Sequence, residues 1–237
     1  MTDKITDVQF EFNGQCFPLY WYSPSVQTNL FGETHERQDG VTDWILEQAR
    51  LAYGESVTKE DIFYYVYGFL HLPAYRAEFA AELKKSLPRI ILVERAEDFW
   101  RLSKAGRELS EIHLNYETQP ATAGVEVQRE GSDLRVTKMK LVRAGDTLTL
   151  IYNSSVKIVG IPARALEYVV NGRSPLEWLV ERYQIKTDKA SQITNDPNLW
   201  CAEHNDAEYI LRLAQSLVTV SLKTLEIVAR LPEIKFA

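Results

Sequence analysis

The stretch GVEVQREGSDLRVTKMKLVRAGDTLTLIYNSSVKIVGIP, Gly124–Pro162, is where the hydrophobic rhythm of the chain changes. Val125 and Val127, Leu134 and Val136, Leu148 and Leu150, and Val156 and Ile158 alternate with polar residues, the period of two that marks half-buried strands. An antiparallel meander is the simplest reading. Within it Leu134 and Val136 share one parity while Met139 and Leu141 share the other, so the strand Leu134–Arg143 is expected to carry a β-bulge near Lys138.

Upstream the pattern is helical. Phe10–Phe31 is rich in aromatics and broken by Pro18 and Pro24, which suits a short strand plus irregular packing. A helix is expected from Asp43, as N-cap, to a stop at Gly54. Thr58 with Asp61 has the spacing of a capping box opening a largely buried helix, Lys59–His71. Tyr75, Phe79, Leu83 and Leu87 recur every four residues on a second helix that Pro88 ends. Ile90–Val93 suits a short buried strand. A further helix from Glu97 carries Phe99, Leu102, Leu109 and Ile112 on one stripe, and Gly106 on that stripe marks a close helix crossing.

Downstream of Pro162 the pattern returns to helix. Ala163–Val170 reads as helical, followed by Asn171, Gly172 and Arg173 as the turn of a helix-turn-helix-like segment. Ser174, Pro175 and Glu177 then combine an N-cap, a proline at the first helical position and a capping-box partner. A loop, Lys186–Asn198, leads to a last helix with Ile210, Leu213, Leu217 and Val220 on one face. The fold class that follows is α+β, helices packed with an antiparallel β meander and a helical C-terminal part.

With 237 residues, 45% of them hydrophobic and 11% aromatic, the chain can bury a substantial core. Cys16 and Cys201 stand far apart without metal-ligand neighbours, the sparse thiol usage of a reducing, cytoplasmic compartment. The N-terminus has no basic region followed by an apolar run, and no stretch approaches the roughly 18 apolar residues of a bilayer span, so no membrane association is expected. The net charge of −6 argues against nonspecific nucleic-acid binding by the chain as a whole. Any DNA contact must come from a local patch, with another domain supplying most of the attraction, and the chain is expected to be part of something larger.

Catalytic signals are weak. His35, His71, His113 and His204 are dispersed, none in a zinc-binding spacing, and His71 and His113 adjoin apolar helix faces as core or rim histidines do. There is no nucleophile elbow and no glycine-rich phosphate loop. Glu60 with Asp61, and Glu97 with Asp98, sit in first helical turns, where the helix macrodipole accounts for them. Asn195–Asn198 is similar to the Asn/Asp-Pro-Pro-aromatic signature of amino-methyltransferases, but the second proline and the aromatic are missing. Asp196 and Pro197 read better as a turn. No catalytic residues and no metal ligands are assigned.

The basic residues are more informative. Arg135, Lys138, Lys140 and Arg143 lie along the strand with the phase change, and Arg173, Arg182, Lys186 and Lys189 surround the turn, the helix and its following loop. Guanidinium and ammonium groups so placed can meet phosphates, and Arg can read guanine edges. The residues alone leave a second reading open, an ordinary solvated face paired with Glu177, Glu181 and Asp188.

FPLYWY (Phe17–Tyr22), DIFYYVYGFLHLPAYRAEF (Asp61–Phe79), IHLNYE (Ile112–Glu117) and VNGRSPLEWLVERYQIKTDKASQITNDPNLW (Val170–Trp200) resemble, in the same order, the C-terminal specificity region of bacterial type ISP restriction-modification enzymes. The resemblance implies a single specificity-type domain over 1–237, which the patterning makes mainly helical over 1–118, stranded over 119–162 and helical over 163–237. It implies double-stranded DNA as the partner. A nuclease, an ATP-driven translocase and an adenine-N6 methyltransferase would lie in upstream domains or a separate subunit. S-adenosylmethionine, ATP and Mg would belong there, with no cofactor in this chain. The alternative is a docking module for the methyltransferase or translocase that reads no bases. The upstream part of the recognition domain is expected to be missing. Segments such as Gly124–Tyr152 are as strong a candidate for touching bases as the recognisable motifs.

Overall fold

In the computed structural model, which describes residues 1–3, 16–29 and 32–236, the chain divides into two compact units. The first is Met1–Leu114 with Ile227–Ala237, and the second is Asn115–Glu226.

The first unit opens with an antiparallel pair, β1 (Tyr20–Asn29) and β2 (Gly32–Asp39), whose register shifts between Pro24 and Thr28. The expected short strand therefore has a partner. That partner, GETHERQD, carries no apolar alternation, so period two is invisible in it. The rest of Phe10–Phe31, residues 10–15 and 30–31, lies outside the described residues.

Helix α1 (Asp43–Tyr53) is capped one residue earlier than expected, by Thr42, whose hydroxyl accepts from the Ile45 amide. Helix α2 (Lys59–Phe69) starts on the Thr58/Asp61 capping box, with the Thr58 amide donating to Asp61 Oδ2 at 3.0 Å and the Asp61 amide to Thr58 Oγ1 at 3.2 Å. The expected long helix through Leu87 is shorter. Helix α3 spans Pro73–Glu78 and only a 3-10 turn, Glu82–Lys84, follows. Tyr75 is buried and Phe79 and Leu83 are half-buried against the same core, but Leu87 is 52% exposed, so the stripe loses its packing at its end.

Ile90–Val93 is not a strand of any sheet, and Ile91 is 52% exposed. Three tyrosine hydroxyls take the place of a neighbouring strand. Tyr75 donates to the Arg89 carbonyl at 3.1 Å, Tyr65 to that of Ile91, and Tyr53 to that of Val93 at 2.6 Å. The alternate carbonyls of an extended segment are thereby satisfied from the core side, and burial raises the Tyr53 phenol to about 12.

Helix α4 (Ala96–Leu114) crosses α2 at a glycine pair. A Cβ on Gly106 would sit 1.9 Å from the Tyr64 carbonyl oxygen, and one on Gly68 would sit 2.2 Å from that of Leu102. The close crossing expected at Gly106 is present, and Gly68 is its counterpart. Around it Tyr53, Tyr65, Phe69, Phe99 and Leu102 form the core, with Phe99 stacked on Tyr53 at 4.3 Å and on Tyr65 at 4.9 Å.

His71 and His113 are half-buried beside Tyr67. The Tyr67 hydroxyl and His113 Nδ1 are 2.7 Å apart, and His71 Nδ1 lies 2.8 Å from the Tyr67 carbonyl oxygen. Burial, with the neighbouring His71 and the N-terminal ammonium adding to it, lowers His113 to about 4. The folded state thus resists a proton that the unfolded chain accepts near pH 6.5. Stability is complete above that pH and is lost as pH falls toward 4. Between pH 6.5 and 5, above the ordinary carboxylate range, urea unfolding is expected to lose about 1–2 kcal/mol, a loss His113→Gln reduces. A His113 ring titrating near pH 6.5 by NMR would contradict this.

The second unit is built on four antiparallel strands, β3 (Glu126–Arg129), β4 (Lys140–Ala144), β5 (Thr147–Ile151) and β6 (Val156–Pro162), in the order β3-β6-β5-β4. Strands β4, β5 and β6 form the expected meander. Strand β3 instead joins the far side of β6. The alternating set points inward, with Val125, Leu148, Leu150, Val156 and Ile158 buried.

No bulge forms at Lys138, because residues 134–139 are not strand. Their backbone is held by side chains. Tyr152 Oη donates to the Leu134 carbonyl, Asn153 Nδ2 to those of Asp133 and Arg135, and Asn198 both accepts from the Val136 amide and donates to its carbonyl, each at 2.8 Å. An irregular segment can bury residues of both parities, here Val136 and Met139, which produces the phase change. The sheet's actual irregularity lies between Leu148↔Ile161 and Leu150↔Ile158, where Gly160 adopts φ 72°.

Ala163–Val170 is likewise not a full helix. A 3-10 turn covers Ala163–Leu166, and Val170 and Arg173 then bond reciprocally across Asn171 (φ 51°) and Gly172 (φ 85°). Two left-handed central residues make a hairpin-type turn, so the helix-turn-helix-like reading is corrected. Helix α5 (Pro175–Arg182) does start on the expected Ser174/Glu177 box. The expected loop contains a small hairpin, β7 (Lys186–Thr187) and β8 (Thr194–Asn195), and Asp196 caps helix α6 (Pro197–Glu203) rather than making a turn. Helix α7 (Tyr209–Ala229) lays Ile210, Leu213, Ala214 and Val218 into the core with Leu176 and Leu179. Among the described residues no helix is long and apolar enough to cross a membrane.

Candidate nucleic-acid interface

Charge is unevenly spread along the sequence. The second unit carries thirteen Lys and Arg against fourteen Asp and Glu, so most of the net −6 belongs to the first. From Arg135 to Lys189 ten basic side chains face only five acidic ones. All eight expected binding residues lie in this segment, and all are exposed.

Their surroundings separate them. Arg135 is 3.9 Å from Asp196 and lines, with Asp133, Asn198 and Asp206, a depression of about 780 Å³. Arg173 is ion-paired with Glu181 and lies over the Trp178 ring, 5.2 Å from its centroid. Lys140 and Arg143 are on β4, the edge strand, where the Arg143 guanidinium donates to the Gly145 carbonyl at 3.1 Å.

The remaining four belong to neighbouring pieces of backbone. The Ile185 amide donates to the Thr137 carbonyl at 3.1 Å, which sets the chain at Lys138 beside the chain at Lys186. Arg182 and Lys186 line one open depression of about 490 Å³ with Glu181, Gln184, Asp188, Ser191, Ile193 and Asn195. Lys189 is in the turn between β7 and β8.

The carboxylates that would make this an ordinary solvated face take their hydrogen bonds and ion pairs from other groups. Glu177 closes the helix cap, with Oε2 accepting from the Ser174 amide and hydroxyl at 2.8 Å each. Glu181 takes Arg173. Asp188 accepts from the Ala190 amide and from the Ser191 amide and hydroxyl, and those Ser191 bonds, with smaller pulls from the Ala190 amide and the Lys186 charge, hold its carboxyl below the usual range. Among the described residues none of Lys138, Arg182, Lys186 and Lys189 has a carboxylate within ion-pair distance.

Sequence reasoning missed three contributors. Trp178 is flanked by Arg173 and by Arg182, whose guanidinium is 5.5 Å from its ring centroid, and its indole donates to the Val170 carbonyl at 2.7 Å. The Arg182 half of that arrangement was readable as a helical i, i+4 pair. Asn198 fixes the backbone that carries Lys138, and no local signal could reveal a bond spanning 62 residues. The β7–β8 hairpin was hidden because its short strands contain no apolar alternation.

Among the described residues no group of three or more His, Cys, Asp or Glu side chains is placed to hold a metal ion. His204 stacks on Trp200 at 4.0 Å, and His71 and His113 face Tyr67. The fold and this surface define an α+β module with an open, locally basic face. The chain belongs to the Type ISP C-terminal specificity domain family, whose model matches residues 1–213.

Among solved structures it is similar to the ATP-dependent Type ISP restriction-modification enzyme LlaBIII bound to DNA. The identity is 40% and the TM-score 0.78, over 93% of this chain and 14% of that one. A nuclease-deletion mutant of the Type ISP enzyme LlaGI in complex with a DNA substrate mimic matches at 45% identity and TM-score 0.68, over 83% and 14%. The DrdV–DNA complex matches at 28% identity and TM-score 0.75, over 98% and 23%. The chain thus spans 14% of the length of the first two. No curated protein matches it.

Proposed function

We propose that the chain is a DNA target-recognition module of a Type ISP-like restriction-modification enzyme, working in the cytoplasm. The observation that carries this reading is the surface of Lys138, Arg182, Lys186 and Lys189, whose nearby carboxylates are bonded elsewhere. Exposed cations on ordered backbone with no carboxylate within ion-pair distance are what phosphate binding requires. The likeness to structures described as bound to DNA supports it. The module performs no chemistry in this reading. S-adenosylmethionine, ATP and Mg act in the methyltransferase, translocase and nuclease parts of the parent enzyme, in the same polypeptide or a separate subunit.

A docking role is the second reading, and the first unit favours it. That unit holds the acidic excess and exposes Trp44 and Leu51. Fluorescence anisotropy with duplex DNA at low salt separates the two, using the chain alone and joined to the methyltransferase part of a Type ISP relative. Saturable binding that weakens steeply with salt is expected. No binding in either form would sink the DNA reading and leave docking.

A further inference from the structure

The β7–β8 hairpin is ordered without belonging to the core. Every residue from Lys186 to Asn195 is exposed, and Ile193 is 70% exposed. Two residues per strand give little ladder, so the shape comes from polar bonds. Thr187 and Thr194 pair through their hydroxyls at 2.8 Å, the Asp188 amide donates to the Ile193 carbonyl at 2.9 Å, and the Gln192 amide donates to that of Asp188 at 3.0 Å. The Asp188 carboxylate gathers the Ala190 and Ser191 donors, and Gln192 adopts φ 58°, a left-handed conformation that is costly for a side-chain-bearing residue. A segment so constrained, burying nothing, is built to present its tip.

The tip's chemistry is that of groove recognition. Gln192 is exposed, and its Nε2 donates to the Lys189 carbonyl at 2.7 Å, a bond that uses one N–H of the carboxamide and leaves the second N–H and Oε1 for a partner. That pair of groups matches N7 and the N6 amino group of adenine, and an exposed Ile side chain matches the thymine methyl. Lys186 and Lys189 flank them as phosphate contacts. A two-stranded ribbon fits the major groove, roughly 12 Å wide. We infer that residues 191–193 of this hairpin enter the major groove and specify A·T pairs, Gln192 reading adenine and Ile193 the thymine methyl, an inference that rests on the DNA-recognition reading.

Selection from a randomised duplex library tests it, with the full chain alone and joined to the methyltransferase part of a Type ISP relative. The wild type is expected to enrich a motif containing A·T pairs. Gln192→Ala and Ile193→Ala should lose about 5- to 100-fold discrimination at one or two adjacent positions of that motif, with affinity for unrelated DNA unchanged. Lys189→Ala should weaken all sequences alike. These side chains are exposed, so melting temperatures should match the wild type. If the variants enrich the wild-type motif with undiminished discrimination, the hairpin assignment falls and DNA recognition stands. If the wild type binds DNA but enriches no motif, base reading by this chain is wrong. If neither form binds, the DNA reading falls and takes the hairpin with it.

Discussion

Gly106→Ala is expected to destabilise the first unit by about 3 kcal/mol or more, the upper end of what overpacking does. The added methyl would meet the Tyr64 carbonyl oxygen at 1.9 Å and the Gly68 amide nitrogen at 2.9 Å. Neither can step aside, because both are backbone atoms of α2. Relief requires separating α2 from α4, and the two are fastened on both sides of the crossing. On one side Tyr65 stacks on Phe99 at 4.9 Å. On the other, Arg107 holds Asp61 at 2.9 Å and Ser103 donates to the Asp61 carbonyl at 2.9 Å. Gly68→Ala should behave alike, since its methyl would sit 2.2 Å from the Leu102 carbonyl oxygen. Lys104→Ala, at an exposed position of α4, is the control and should change stability by less than about 0.5 kcal/mol. Urea unfolding of the three variants checks this, and a Gly106→Ala midpoint equal to that of Lys104→Ala would contradict it.

That crossing was legible because a glycine on an apolar helical stripe weakens the helix and buries no side chain, a cost that close approach of a second backbone offsets. The two capping boxes, Thr58/Asp61 and Ser174/Glu177, were legible too, as was the alternation of Leu148, Leu150, Val156 and Ile158. Each depends on residues within a few positions of one another. What the sequence concealed depends on distant bonds. Tyr53 reaches the Val93 carbonyl across 40 residues, and Asn198 reaches Val136 across 62, so an extended but unpaired segment looks like a strand in one place and a bulged strand in the other. Asn171 and Gly172 look like a helix-helix turn until their positive φ angles show a hairpin turn. The basic residues of the candidate interface were visible as residue types. Which of them were already taken was not, because Arg173 on Glu181 and Arg135 near Asp196 are tertiary pairings.

Removing three of the unpaired cations together, Lys138, Lys186 and Lys189 to Ala, should have the largest effect on DNA binding. Each phosphate contact contributes about 0.9 to the slope of log affinity against log salt, so three lost contacts should flatten that slope by about 2.7. The same relation sets the size of the defect, about 500-fold at 0.1 M salt and shrinking toward nothing near 1 M. Stability should be nearly unchanged, because all three side chains are exposed and none closes an ion pair. Arg173→Ala and Arg135→Ala provide the contrast. Both remove a charge from the same stretch of sequence, but those charges already face Glu181 and Asp196. Each should move the slope by less than one contact. Arg173→Ala should also lower stability by about 1 kcal/mol through its lost contact with Trp178. Isothermal binding curves at several salt concentrations distinguish the two sets. If the triple variant keeps the wild-type slope, these lysines are a solvated face and phosphate contact lies elsewhere. If Arg173→Ala flattens the slope as much as the triple variant does, the Glu181 pair opens on binding, and intrachain pairing is no guide to which cations meet DNA.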